Sequence, residues 1–400
     1  MGFLLGLISN RPDALQRNLP SYAAGLKGRK GCSIVVCDDE SSFGANSGFL
    51  SRLSSANGLE VRHLSNLSGK RAADIIEGAL GRDVSRLFAN NFGGLRNLVL
   101  LSSHALGSDV VFVDDDTSPL YDFVDRYEQR FSEGYKLVPG GYEGHVDLTS
   151  PALLYLIGKS LNESKAGAIS AEEAASGVRM ALRGVPPKKT SFTKNMFVGG
   201  NVGVSQELAA AYAFLPTAFR IEDAVYMMTV GNFLQQDKMA IFRAYNDREA
   251  LALTPLAEHI REPSAKPSLF SQLVNELKGS VAAKLIDSLG FESFRKETVL
   301  SDGELELIIS EAMDATWSDF NMKNNGENLS GLPASLDAED RAELERVASL
   351  EKKSASLTLD EAKGVLDDFS FCLKAWPYVI GTLEDAKVRK EVLDALTTKP

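Results

Sequence analysis

Over the first 115 residues, short β-branched and apolar runs alternate with stretches of helical apolar spacing, and few folds accommodate that rhythm. The runs at 3–8, 33–37, 59–63 and 109–113 read as strands. Between them, 12–26, 43–53, 71–80 and 84–106 carry the helical period, with Asp13 and Asp83 among the acidic residues suited to a first turn. Parallel strands need a crossover, and a helix supplies it. The predicted fold is therefore α/β, a doubly wound, mostly parallel sheet. Sheets of this kind collect ligands outside the carboxyl ends of their strands, so the residues just after each strand are where chemistry is expected.

The fourth run, 109–113, ends in Asp114-Asp115-Asp116. Adjacent carboxylates raise one another's pKa and are costly unless a cation, a hydrogen-bonding ligand or water compensates them. Alternate residues of a strand share a face, which sets Asp114 and Asp116 on one side and Asp115 on the other. Two such carboxylates can share a hard divalent ion and through it a diphosphate. A competing reading has the three aspartates, with Thr117 and Ser118, capping a helix that begins near Pro119.

Beyond this point, 121–131 looks helical, 135–139 extended and 140–145 a glycine-rich loop containing His145. Helices are expected at 151–160 and 171–183, then a break at 184–190, the motif Gly199-Gly200-Asn201, and helices at 205–214 and 224–234. From about residue 265 the strand signals vanish, and amphipathic helical pattern fills 269–277, 281–289, 304–320, 338–350 and 359–373, with a polar linker at 321–330. Two regions are expected: an α/β domain over 1–264 and a helical region over 265–400.

Composition narrows the function. Forty-three basic against 54 acidic side chains give a net charge of −11, which argues against broad nucleic-acid binding while leaving room for a local basic pocket. No run approaches the length of a membrane span, and the apolar start at 1–8 has no basic n-region, so it reads as a buried strand. Three cysteines, Cys32, Cys37 and Cys372, are odd in number and unclustered, which speaks against a disulfide framework or a zinc site and makes the cytoplasm the expected compartment.

Several short motifs fall in order along the chain: Ser9-Asn10-Arg11-Pro12 after the first strand, Asp38-Asp39-Glu40 after the second, and Gly93-Gly94-Leu95-Arg96 ahead of the aspartate strand. Asp114 to Asp116 follow, then Gly199-Gly200-Asn201 and Arg220-Ile221-Glu222-Asp223. In this order and spacing the chain resembles the GT-A fold nucleotide-sugar glycosyltransferases, in particular the family 2 type, over roughly residues 1–260. The resemblance implies a nucleotide-sugar donor, with Ser9, Arg11, Asp38 or Asp39, Arg96, Asp114, Asp115, Gly200 and Asn201 around it. It also implies Mn²⁺ or Mg²⁺ on Asp116 and Asp114, with His259 resembling the downstream metal histidine of some members, and Asp223, beside Glu222, as catalytic base. The Glu-Asp pair favours an inverting transfer over a retaining one, which would need no such base, to a sugar, lipid or protein acceptor that the sequence does not identify.

The chemistry is coherent. A divalent cation neutralises charge developing on the departing diphosphate, and a carboxylate near the acceptor hydroxyl takes its proton. Adjacent helix residues do not share a face, so only one of Glu222 and Asp223 is expected to enter the site.

Each feature also has a plainer reading. Asp38 and Asp39 suit a helix cap, Gly199-Gly200-Asn201 a turn, Glu222 and Asp223 the first turn of a helix, and His259 a surface position. Lys188, Lys189 and Lys194 read as a solvated loop, and His63 and His104 need no functional role. An apolar run at 153–157 fits core packing or a lipid-linked acceptor. Gly69-Lys70 lacks the pattern of a phosphate loop. Two other functions compete: a sugar-phosphate nucleotidyltransferase, against which the absence of a glycine-rich basic signature after the first strand counts, and a non-catalytic binding module acting through its helical tail. That tail is left with two roles, packing on the α/β domain or forming a homo-oligomer.

Overall fold

The computed structural model describes residues 2–38, 40–120, 122–144, 150–182, 200–219, 221–236, 255–259, 268–295, 300–323, 327, 329, 332 and 334–397. A six-stranded sheet organises the amino-terminal part, in the order β3-β2-β1-β4-β8-β6. Strands β1 (Phe3–Ser9), β2 (Ser33–Asp38), β3 (Glu60–Leu64) and β4 (Asp109–Asp114) are mutually parallel. Strand β8 (Asn201–Val204) runs antiparallel to β4, and β6 (Leu137–Pro139) antiparallel to β8. The doubly wound, mostly parallel α/β sheet expected from the sequence is thus the sheet observed, with a helical region at its carboxyl-terminal end.

Near-continuous apolar strands bury both faces, as parallel sheets require. On one face Phe3, Leu5, Leu7, Ile34, Val36, Val111 and Val113 pack against Leu15, Leu19 and Tyr22 of helix α1 (Pro12–Leu26). On the other, Leu4, Val35, Val110 and Phe112 meet Leu98 and Val99. Helix α2 (Glu40–Asn57) follows β2 and α3 (Asn66–Leu80) follows β3, while α4 (Phe92–Leu106) leads back into β4. The chain therefore steps outward from β1 to β3 and returns to the opposite side of β1. That reversal leaves a crevice between the carboxyl ends of β1 and β4, where Ile8 is in register with Asp114.

Directly after β4 the chain enters β5 (Thr117–Pro119), which joins a second, three-stranded sheet in the order β5-β9-β7. Its other members are β7 (Gly141–Gly144) and β9 (Pro255–His259). Three expectations change here. Residues 117–119 form a strand, and the next helix, α5 (Phe123–Ser132), starts later, so the aspartates do not cap a helix at Pro119. The glycine-rich 141–144 is extended because it pairs with β9, a strand the sequence did not signal. The stretch 84–106 is not one helix: a short 3₁₀ turn, Ser85–Phe88, precedes α4, whose start is fixed by Asn91 accepting from the Gly94 N–H at 2.8 Å.

Helices α6 (Ser150–Lys165) and α7 (Ala171–Leu182) lie between β7 and β8 in the chain. Helix α8 (Gln206–Ala211) follows β8, and α9 (Glu222–Gln236) comes next. The carboxyl-terminal helices are α10 (Leu269–Leu289), α11 (Phe291–Arg295), α12 (Asp302–Asp319), α13 (Ala338–Ala348), α14 (Leu359–Thr382) and α15 (Ala386–Ala395). The two expected stretches at 269–277 and 281–289 are one continuous helix, α10.

Two hydrophobic cores cross the 264/265 division. Leu154, Ile157 and Val178 of α6 and α7 share a core with Leu273, Leu285, Ile309 and Leu344 of the later helices. Trp376 and Val379 of α14, with Val392 of α15, belong to the sheet's own core. Helix α14 carries both: Phe369 faces the helical core, and Trp376 is fully buried and donates Nε1–H to the Ala209 carbonyl at 3.0 Å. At the sheet edge, Arg62 of β3 donates to the Leu393 carbonyl of α15 at 3.2 Å. Among the described residues no helix is long and apolar enough to cross a membrane.

Candidate active site at the sheet's switch point

The crevice between β1 and β4 gathers Ser9, Arg11 and Asp114 to Asp116. Strand β4 ends at Asp114, and Asp115 and Asp116 occupy a turn before β5. The strand alternation expected for the three aspartates therefore stops at Asp114, and Asp115 and Asp116 meet the same partner. The Arg11 Nη2 lies 2.8 Å from Asp116 Oδ2 and against Asp115 Oδ1, and its Nε is 3.3 Å from Asp115 Oδ2. Ser9 Oγ donates to Asp115 Oδ2 at 2.7 Å.

Helix α1 holds this turn from behind. Asn18 Nδ2 donates to the Asp115 carbonyl at 2.9 Å, Thr117 Oγ1 donates to the Asp114 carbonyl at 2.8 Å, and the Tyr22 hydroxyl is 2.9 Å from Thr117 Oγ1. Burial shapes the charges. Asp115 is 3% exposed, and loss of water pushes its carboxyl up to about 6, against the pull of Arg11 and Ser9. For Arg11, burial works against the charge, but the attraction of Asp115 and Asp116 outweighs it and the guanidinium is raised. Both partners lose water; attraction outweighs that loss at Arg11 and falls short of it at the more buried Asp115.

Gly200 stands opposite Asp114, its carbonyl accepting the Asp114 N–H at 3.1 Å. A Cβ at residue 200 would overlap the Asp114 carboxylate, so only glycine leaves that side chain its place. Asn201 is fully buried, takes the Tyr127 hydroxyl's hydrogen bond at 2.7 Å on Oδ1 and fills the space beside Gly140. It braces β8 against α5 and lies under the site.

Other predicted residues have partners of their own. Asp38 is fully buried at the end of β2, bonded to His63 Nε2 at 2.5 Å and accepting from Asn46 Nδ2 at 2.9 Å and from Ser42 Oγ at 3.3 Å. The Phe43 ring stacks on His63 with centroids 3.9 Å apart, and Ser47 Oγ is 3.3 Å from His63 Nδ1. His63, given no role from the sequence, is thus the partner of Asp38; it lies 25 positions away on a neighbouring strand, a closeness that only strand pairing creates. Arg96 meets two aromatic rings and an acid. Its guanidinium lies over the rings of Phe112 and Phe214 at 5.5 and 5.4 Å, with Nε 3.6 Å from Glu222 Oε1. Glu222 is buried beside it, and half-buried Asp223 accepts the Ala224 N–H at 2.8 Å in the first turn of α9. Of the two acids, Asp223 is the more accessible.

His259 closes β9, whose backbone is in register with β5 so that residue 259 pairs with Thr117, one position from Asp116. Asp39, His145, Lys188, Lys189, Lys194, Gly199 and Arg220 lie outside the described residues. Among the described residues no three His, Cys, Asp or Glu side chains converge as a metal cage. The donor set still suits a hard divalent cation: these are carboxylate oxygens, Gly200 leaves room for one of them, and a positively charged group already lies across two.

No family model and no curated protein matches the chain. Solved structures similar to it include the mannosyltransferase PcManGT from Pyrobaculum calidifontis in complex with GDP-Man and Mn²⁺, at 12% identity and a TM-score of 0.38, over 95% of this chain and 86% of that one. S. aureus TarS 1-349 matches at 10% identity and a TM-score of 0.38, over 94% and 91% of the two chains. M. tuberculosis glucosyl-3-phosphoglycerate synthase matches at 17% identity and a TM-score of 0.35, over 71% and 79%. Likenesses this distant carry no weight for the chemistry, which rests on the residues at the crevice.

Proposed function

We propose that this chain is a metal-dependent glycosyltransferase of GT-A-like layout that moves a sugar from a nucleoside-diphosphate donor to an acceptor hydroxyl. The observation that carries the reading is the acidic turn Asp114 to Asp116 at the point where the sheet reverses direction, with Ser9 and Arg11 from the adjoining strand end gathered on it. Asp114 and Asp116 would hold Mn²⁺ or Mg²⁺, with His259 the third candidate ligand, since the strand pairing brings its backbone beside Thr117. The cation, when bound, supplies Lewis-acid neutralisation of the departing diphosphate.

The chain's own residues do the rest. Ser9 and Asn18 fix the acidic turn, so its carboxylates need no reorganisation when the donor arrives. Gly200 keeps β8 close enough for the donor's ribose and sugar to lie over backbone. Arg96 holds Glu222 and so fixes the start of α9, leaving Asp223 as the carboxylate available to accept the acceptor's proton, with inversion at the sugar. Asp38, bound up with His63 and Asn46, would shape the base pocket through α2.

The test is direct. The protein is incubated with Mn²⁺ and a panel of uridine- and guanosine-diphosphate sugars, and free nucleoside diphosphate is measured, water serving as acceptor. Wild type is expected to release it, and Asp116→Asn to lose at least about 100-fold of that rate, as expected when a charge-stabilising group is removed. The absence of both turnover and any Mn²⁺-dependent rise in melting temperature with a nucleoside diphosphate would sink the reading.

A further inference from the structure

Arg11 already holds Asp116, one of the two carboxylates assigned above to a divalent cation. Its guanidinium bridges Asp115 and Asp116, with Nη2 2.8 Å from Asp116 Oδ2, and these two acids are only 3% and 5% exposed. The acidic turn is pinned by Ser9, Asn18 and, through Thr117, Tyr22. The arginine side chain is different: a third of it, 33%, faces solvent, and its stem has the rotamer freedom to leave. Of the partners in this cluster, Arg11 is the one able to move.

We infer that Arg11 is a built-in stand-in cation whose displacement makes divalent-metal binding at the acidic turn conditional on the nucleoside diphosphate. This rests on the function proposed above. A metal ion arriving alone must evict the guanidinium from the buried Asp116 carboxylate and leave it no replacement for that oxygen. A diphosphate removes both obstacles. It offers the guanidinium a new pair of oxygens with matching bidentate geometry, and it completes a coordination shell that one or two protein carboxylates leave unfilled. Metal and nucleotide therefore bind cooperatively, each tightening the other by the same factor. The same contact relieves the repulsion among three consecutive aspartates while no ligand is bound.

Mn²⁺ is titrated into wild type, Arg11→Gln, Arg11→Met and Arg11→Lys, and free Mn²⁺ is read by electron paramagnetic resonance. One arm contains no nucleotide, and separate arms contain UDP or GDP; circular-dichroism melts establish that each variant is folded. Wild type is expected to bind Mn²⁺ weakly alone and about tenfold or more tighter with a nucleoside diphosphate. The neutral variants should bind Mn²⁺ alone about tenfold tighter than wild type and lose most of the enhancement by nucleotide, whereas Arg11→Lys should resemble wild type. Equal Mn²⁺ affinities of wild type and both neutral variants without nucleotide would overturn the inference. Failure of wild type and variants to take up Mn²⁺ in every arm would instead overturn the metal-diphosphate reading beneath it.

Discussion

Gly200 shows how much a single residue decides at this site. Its missing side chain is what allows Asp114 to turn its carboxylate over β8, so Gly200→Ala must push the strand or the acid aside. Overpacking of this kind costs about 1–3 kcal/mol. The expected outcome is a modest loss in denaturant midpoint together with loss of the Mn²⁺-dependent stabilisation by UDP or GDP, since the acid cannot hold its position. A variant that melts like wild type and keeps the ligand effect would show that Asp114 needs no such space. Glycine at 200 was legible in the sequence as part of a motif. Its reason was not, because the atom it makes room for belongs to residue 114, across the strand pair.

At the scale of elements, α14 and α15 tie the helical region to the sheet. Trp376 is fully buried and hydrogen-bonded to Ala209, so Trp376→Ala is expected to cost about 3–5 kcal/mol, measured by chemical denaturation, and Trp376→Phe clearly less. A loss below about 1 kcal/mol for the alanine variant would mean that α14 is only loosely docked. The seam between α4 and α15 also carries a pH dependence. Burial pushes the His104 imidazole below its ordinary value of 6.5; Arg389 of α15 pushes the same way, and Glu384 opposes. The unfolded chain then takes up the proton more readily than the folded one, so this contribution to stability is present above about pH 6.5 and is lost as the pH falls towards the lower folded value. His104→Gln should flatten the decline in denaturation midpoint between about pH 7 and 5, and identical slopes for the two proteins would remove the histidine from the account.

For the whole molecule, the division at residue 264 has consequences beyond bookkeeping of domains. The face of the sheet built on α3 and α4 is completed by Trp376, Val379, Ile380 and Val392, while α6 and α7 complete the core of the later helices. A chain ending at residue 264 would expose the first surface and strip α6 and α7 of their partners, and exposed apolar area of this extent promotes association. It is expected to be insoluble or to melt without cooperativity. Recovery of residues 1–264 as a soluble, cooperatively melting protein would show that the α/β part is self-sufficient. The helical tail thus has a visible structural task within one chain, whatever further contacts it makes.

By itself the sequence determined the parallel sheet and the crossover helices, and it singled out the acidic end of β4, because periodicity and strand-end composition are local properties that neighbouring residues encode. It also marked Ser9, Arg11, Gly200 and the Glu222-Asp223 pair. Tertiary structure alone decided which of these meet. It put Arg11 across Asp115 and Asp116, paired Asp38 with His63, turned Arg96 towards Glu222, brought β9 beside the acidic turn, and sent α14 back to the sheet. The physical reason is that such contacts join residues tens to hundreds of positions apart, and their partners are fixed by strand order and by the burial of apolar faces, neither of which leaves a mark on adjacent residues.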